Sequence, residues 1–356
     1  MKHTPVINLT LSSLTIVAVF YGSWSLLTEV INTILPFGLI LTILLVCAVY
    51  FLRVPAPSPA SVETILGKDP AVASSDDAYV MKTVAHRGAG LDAPENSLPA
   101  FKMCHDQGCD AIEFDITLTK DGVPVVFHDN CLERMSDCNL VIGEHKWEDL
   151  CNIDISVKHL YKDRFAKTNI PTLEQTVTQL LASGQRMFID IKDNNKKFVK
   201  IIHGLFDRYP DLYSRAVVSS FNPILIYLIR KGNPKIVCSL AWRPHAFAYD
   251  SFNFPMGPGI RRGKVWYKHF LLVLCDFIHE WALTRITYYL LGLSVILLHK
   301  DAINGRTVYD WRKRGLRVMA WTVNTPAEKQ FLARVLKITY LTDTLTGEGT
   351  THTPPL

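Results

Sequence analysis

Glu113 and Asp115 lie two residues apart in the apolar run Ala111–Leu118. On a strand that spacing points both carboxylates to one face. Asp190, inside the run Arg186–Lys192, supplies a third acid from another strand. Charged residues inside apolar runs are costly unless paired or bound to a metal. Three converging carboxylates form a hard oxygen donor set suited to Mg²⁺ or Ca²⁺, with room for water and a phosphate. A salt-bridge network with Arg87 and Lys192 is the bland alternative. Three acids against two bases fit a cation-plus-phosphate site better. His86 and His128, each beside a charged residue (Arg87 and Asp129), complete the set. Cleaving a phosphodiester needs a base for the nucleophile and an acid for the leaving alkoxide. Imidazole suits both near neutral pH. Arg87 offers a fork for phosphate oxygens.

These residues fall at the ends of short β-rich runs that alternate with helical patterns. The runs lie between Thr83 and Thr342. One of them, Val123–His128, follows its predecessor after only Thr119-Lys120-Asp121-Gly122. So short a link fits an antiparallel hairpin, because a parallel return needs a crossover. Without it, the remaining runs give eight βα units, which predict a closed TIM (β/α)8 barrel. In that fold the active site lies at the C-terminal ends of the strands, where His86, Glu113, Asp115, Asp190, Lys192 and Trp321 are expected.

The barrel is placed over 81–356, roughly 270 residues, against about 250 for the fold. Before it, residues 6–52 are almost continuously apolar, with Glu29 the only charge. Residues 1–53 are therefore read as a transmembrane anchor. It is either a hairpin with spans near 7–27 and 31–52, or a single span at 31–52. The Pro/Ala/Ser-rich stretch 54–80 reads as a linker. An oversized connection at about 243–292 is strongly apolar toward its end but carries Asp276, His279, Glu280 and Arg285. Those charges oppose a span and favour an amphipathic insertion that packs on the barrel or dips into the membrane interface. The net charge of +5 includes no basic run of the kind that tracks nucleic acid. The eight cysteines contain no CxxC pair. The Cys131/Cys138 spacing leaves a small disulfide loop open, with free thiols preferred.

The ordered pieces His86-Arg87-Gly88, Pro94-Glu95-Asn96-Ser97, Glu113-Phe114-Asp115, Thr119-Lys120-Asp121-Gly122 and His128-Asp129 resemble the glycerophosphodiester phosphodiesterase family. Ile170-Pro171-Thr172-Leu173, Ser220-Phe221, Trp321-Thr322-Val323-Asn324 and Thr342-Asp343 continue the likeness to about residue 345. The apolar N-terminus and the insertion are similar to its membrane-bound animal branch. The resemblance implies a divalent ion, usually Mg²⁺, on Glu113, Asp115 and Asp190, with His86 and His128 as acid and base. It implies Arg87 and Lys192 on the phosphate and Trp321 beside the glycerol or alcohol moiety. The family commonly has glutamate where Asp190 stands; the membrane-bound branch has aspartate. The implied substrates are glycerophosphodiesters such as glycerophosphoinositol, released as sn-glycerol 3-phosphate and an alcohol. Lysophospholipase D action on lysophospholipids and N-acyl-lysophospholipids is the alternative, and a catalytically silent membrane scaffold is a further one. The implied setting is the lipid bilayer of the plasma membrane or an endomembrane, with the barrel lumenal or extracellular.

Overall fold

The computed structural model describes residues 4–74, 77 and 79–346. The chain forms two compact units, Met1–Arg53 and Val54–Leu356. The first is one helix, α1 (Thr4–Leu52), of 49 residues. At 1.5 Å per residue it is about 70 Å long, more than twice the ~30 Å hydrocarbon core of a bilayer. Its segment Leu14–Leu52 is long and apolar enough to cross a membrane. The break that a hairpin would need between Glu29 and Pro36 does not form. Pro36 removes a single backbone donor, and apolar helices tolerate that.

The second unit is the expected barrel. Among the described residues, eight parallel strands close on themselves. They are β1 (Thr83–Ala85), β2 (Ala111–Leu118), β4 (Arg186–Ile191), β5 (Ala216–Ser220), β6 (Cys238–Trp242), β9 (Val295–His299), β10 (Arg317–Trp321) and β11 (Thr339–Thr342). β1 pairs with both β11 and β2, which closes the ring. β3 (Pro124–Val126) runs antiparallel to β2, as its short link requires. The turn between them has Gly122 at φ 85°, a left-handed conformation open to glycine without strain. Between β6 and β9, the insertion forms a small hairpin of β7 (Phe252–Asn253) and β8 (Gly257–Pro258). The helix Trp266–Ala282 follows. All eight cysteines are free thiols, and Cys131 donates to Asn139 Oδ1 at 2.8 Å.

The linker reading of 54–80 is corrected. Val54 is 4% exposed, and its N–H donates to the Leu290 carbonyl at 2.9 Å. The helix α2 (Pro59–Leu66) follows, capped by Ser58, whose hydroxyl accepts from Ser61 N–H at 3.1 Å. Pro59 suits its first turn. Val62, Ile65 and Leu66 have helical spacing, and all three are buried. With Met81 they join the inward side chains of the strand starts, among them Ala111, Val217 and Val295. The helix thus closes the barrel floor. Nearby, the buried Arg230 donates to the carbonyls of Pro55, Pro234, Ile236 and Leu291. Composition suggested a stalk because proline, alanine and serine outnumber three well-spaced apolar residues. Leu66→Ala should leave a cavity under the barrel and cost about 2–5 kcal/mol. A lowered denaturation midpoint in detergent checks it; an unchanged midpoint would show that α2 adds no stability.

Candidate functional site

Strand register builds the acidic centre. Asp115 on β2 and Asp190 on β4 are direct partners in the parallel ladder, so their side chains leave the sheet on the same side. Glu113 lies two residues before Asp115. The three carboxylates bring one oxygen each within 4.8 Å of one another, all buried. Asn96 fixes Asp115 from both sides. Its Nδ2 donates to Asp115 Oδ2 at 2.8 Å, and its Oδ1 accepts from Asp115 N–H at 3.1 Å.

The turn after β1 supplies the rest. Arg87, Ala89 and Asn96 hold left-handed φ values of 53°, 60° and 56°. Such strain in non-glycine residues gathers where a loop is held for function. It aims the Arg87 backbone N–H at Glu113 Oε2, 2.9 Å away. The Arg87 side chain reaches Glu95 at 3.1 Å and Asp115 at 3.3 Å. Gly88, at φ 76°, would put a Cβ 2.8 Å from the Phe101 ring. Lys192 Nζ stands 2.9 Å from Asp115 and 2.5 Å from Asp190.

Charge around this centre is unbalanced. Burial opposes the Asp115 charge, yet Lys192 and Arg87 outweigh it and hold this carboxyl well below the usual range. Burial, with Asp115 beside it, pushes Glu113 well above that range. Burial likewise works against the Lys192 ammonium, but Asp115 and Asp190 hold its pKa above the ordinary lysine value. The two bases therefore do not neutralise all three acids. In addition, Asp190 Oδ1 is buried without a hydrogen-bond partner. An orphaned acceptor among converging carboxylates fits a divalent cation.

Both histidines are backed by carboxylates. His86 Nδ1 is 2.6 Å from Asp343 Oδ1, and Asn324 holds Asp343 through its N–H and its Oδ2, both at 2.8 Å. Because the carboxylate only accepts, Nδ1 carries the proton and Nε2 is left free, 4.0 Å from Glu113. His128 Nδ1 is 2.5 Å from Asp129 Oδ1. Arg134 ties Asp129 to Glu95, with contacts of 2.6 Å to each.

Seven of the eight predicted site residues line one cleft of about 790 Å³: His86, Arg87, Glu113, His128, Asp190, Lys192 and Trp321. Asp115 is fully buried behind them. Trp321 forms a wall, edge-on to the His299 and Phe221 rings at 5.0 and 5.5 Å. The insertion adds Phe247, Arg262 and His279 to the lining. Sequence reasoning missed these three, since no motif surrounds them. The supporting role of Asp343 was also missed, although its place at the end of the last strand signalled it.

The carboxylates behind the histidines link the site to stability. Burial opposes the charges of Glu95, Asp129 and Asp343. Arg134 and Arg87 outweigh it at Glu95, His128 and Arg134 at Asp129, and His86 and Asn324 at Asp343. All three thus titrate below their ordinary values. The stability they contribute is complete above the unfolded values of about 3.9–4.3 and is lost as pH falls through the lower folded ones. Glu113 has the opposite sign and acts above about pH 4. The melting temperature should therefore drop between about pH 5 and about pH 3, and Arg134→Ala should shallow that slope. Equal slopes in the two proteins would contradict the pairing.

Residues 86–346 match the glycerophosphoryl diester phosphodiesterase family. The chain is 31% identical to human glycerophosphodiester phosphodiesterase 1 over 272 residues, covering 76% of this chain and 80% of that protein. It is 29% identical to mouse lysophospholipase D GDPD1 over 135 residues, 37% of this chain and 42% of that one. Among solved structures, it is similar to a phosphodiesterase of Oleispira antarctica in complex with the product sn-glycerol-3-phosphate. That likeness has a TM-score of 0.57 at 20% identity and covers 76% of this chain and 96% of that one. A glycerophosphoryl diester phosphodiesterase fold from Silicibacter pomeroyi aligns with a TM-score of 0.59 at 21% identity, over 77% and 94% of the two chains.

Proposed function

Because this chain belongs to the glycerophosphodiester phosphodiesterase family, we propose that it hydrolyses glycerophosphodiesters such as glycerophosphoinositol to sn-glycerol 3-phosphate and an alcohol. One observation carries the reading. Three buried carboxylates, two cationic side chains and two carboxylate-backed imidazoles meet at one cleft. Glu113, Asp115 and Asp190 would hold the ion, with Mg²⁺ the expected metal and Ca²⁺ the other hard cation that suits them. When bound, the ion would polarise a phosphoryl oxygen and ease ionisation of a hydroxyl. Arg87 and Lys192 face the same space and would hold the phosphate oxygens. Trp321 offers a flat apolar wall for the glycerol or alcohol moiety.

One of His86 and His128 takes the proton from the glycerol hydroxyl adjacent to the phosphate. That oxygen bonds to phosphorus, the bond to the alcohol breaks, and the other imidazole protonates the leaving oxygen. Water then opens the cyclic phosphate with the proton roles reversed. Asp343 and Asp129 keep each ring in the tautomer that leaves Nε2 free.

A second reading is lysophospholipase D action. Phe247 and His279, both from the insertion, extend the cleft wall beyond what a small headgroup needs. We assign α1 as the membrane anchor, which its exposed apolar side chains support. The barrel is expected on the lumenal or extracellular side of the plasma membrane or an endomembrane.

The experiment is a substrate panel with detergent-purified full chain, in Mg²⁺, in Ca²⁺ and in chelator. Release of glycerol 3-phosphate from glycerophosphoinositol, lost in chelator, is the expected result. Lysophosphatidic acid released from lysophospholipids, with no turnover of the glycerophosphodiester, would transfer the assignment to the second reading. No turnover with either metal would overturn both.

A further inference from the structure

The helix Trp266–Ala282 is inverted. Surface helices of water-soluble domains bury an apolar stripe and turn charges outward. Here the inward stripe includes His269, Asp276 and His279. Asp276 is buried, and its carboxylate accepts the N–H groups of Phe247 and Ala248 at 2.8 and 2.9 Å. His269 Nε2 lies 3.4 Å from the Tyr249 hydroxyl. His279 packs edge-on against Phe247 at 5.4 Å. The outer face carries Phe270, Leu271, Leu274, Phe277, Ile278 and Trp281, which are 42–68% exposed. Single exposed apolar residues are ordinary, but a continuous face of them marks an interaction surface.

We propose that this face docks on an anionic lipid bilayer, with the helix lying in the boundary between headgroups and acyl chains. Charge and composition select lipid as the occupant. Arg261, Arg262, Lys264 and Lys268 run into the helix, and no acid occurs from 261 to 275. Basic residues beside an apolar face complement anionic headgroups. Trp266 and Tyr267 stand at that basic end, 81% and 48% exposed. Aromatic residues collect at this depth of a bilayer. The helix lies on the membrane and does not cross it. Asp276, Glu280 and Arg285 oppose a span, and its polar stripe is already bonded to the barrel unit.

The surface adjoins the cleft: Arg262 of its basic end lines the cleft, and His279 and Phe247, packed behind the helix, form part of the cleft wall. On the reading of that cleft as the active site, the arrangement suits a single-chain lysophospholipid arriving sideways from the bilayer.

The test uses the full chain in phosphatidylcholine vesicles containing some phosphatidylserine, with and without brominated acyl chains. The emission difference between wild type and Trp266→Phe isolates Trp266. Loss of most of that signal in brominated vesicles is the expected result. Equal signals in both vesicles would place Trp266 away from lipid and overturn the proposal. In the same vesicles, Phe270→Glu with Phe277→Glu should lower turnover of embedded lysophospholipid about tenfold, leaving turnover of soluble glycerophosphoinositol unchanged. Equal loss on both substrates would make the helix a structural element and overturn lateral delivery. Wild type inactive on both would overturn the proposed function, while the Trp266 signal would still decide the docking surface.

Discussion

Glu113→Gln lowers turnover by roughly a thousandfold, the equivalent of about 4 kcal/mol of transition-state stabilisation, without unfolding the chain. The substitution keeps an oxygen that can accept the Arg87 N–H, 2.9 Å away in the parent. It removes a carboxyl that burial and Asp115 already push toward the neutral form. The melting temperature without metal should therefore hold or rise, since function rather than stability calls for the third acid. The rise in melting temperature on adding Mg²⁺ should shrink or vanish, because the donor set has lost one of its three carboxylates. Activity and melting curves with and without metal check both halves. A fully active Glu113→Gln would remove this residue from the metal set. An inactive variant with a collapsed melting temperature would show that Glu113 serves the fold.

The second large effect concerns His86. Replacing it by glutamine should cost on the order of 10²–10⁴ in kcat, the usual worth of a general acid or base. Asp343→Asn should cost less, roughly 10–100-fold, because it loosens the ring without removing it. The order of the two losses matters more than their size. Asp343 reaches the substrate only through His86, by the 2.6 Å contact at Nδ1. In the double variant the loss should therefore equal that of His86→Gln alone. Additive losses would mean that Asp343 acts independently, for instance by holding the loop through Asn324.

The barrel was legible because its signals are local. Alternating runs, a link too short for a crossover and polar residues at strand ends each follow from backbone geometry. The acidic centre was legible because Glu113 and Asp115 share a strand face in any fold. Two features escaped for the same physical reason. α2 buries only three side chains within a stretch whose composition suggests a stalk. Phe247, Arg262 and His279 come from a connection whose path depends on tertiary contacts such as Asp276 with the Phe247 and Ala248 amides. Neither feature has a sequence period that names its partner. The continuous α1 escaped because a single proline reads as a break, although it withdraws only one donor.

The buried guanidinium of Arg230 sets where a catalytic fragment without α1 can begin. The family likeness starts at residue 86, and the first barrel strand at Thr83. A fragment cut there would expose the undersides of Ala111, Val217 and Val295 and strip Arg230 of the Pro55 carbonyl. Starting at Val54 keeps both intact. The compact unit is therefore longer than the stretch that the family model matches, and residues 54–85 form the scaffold beneath the barrel.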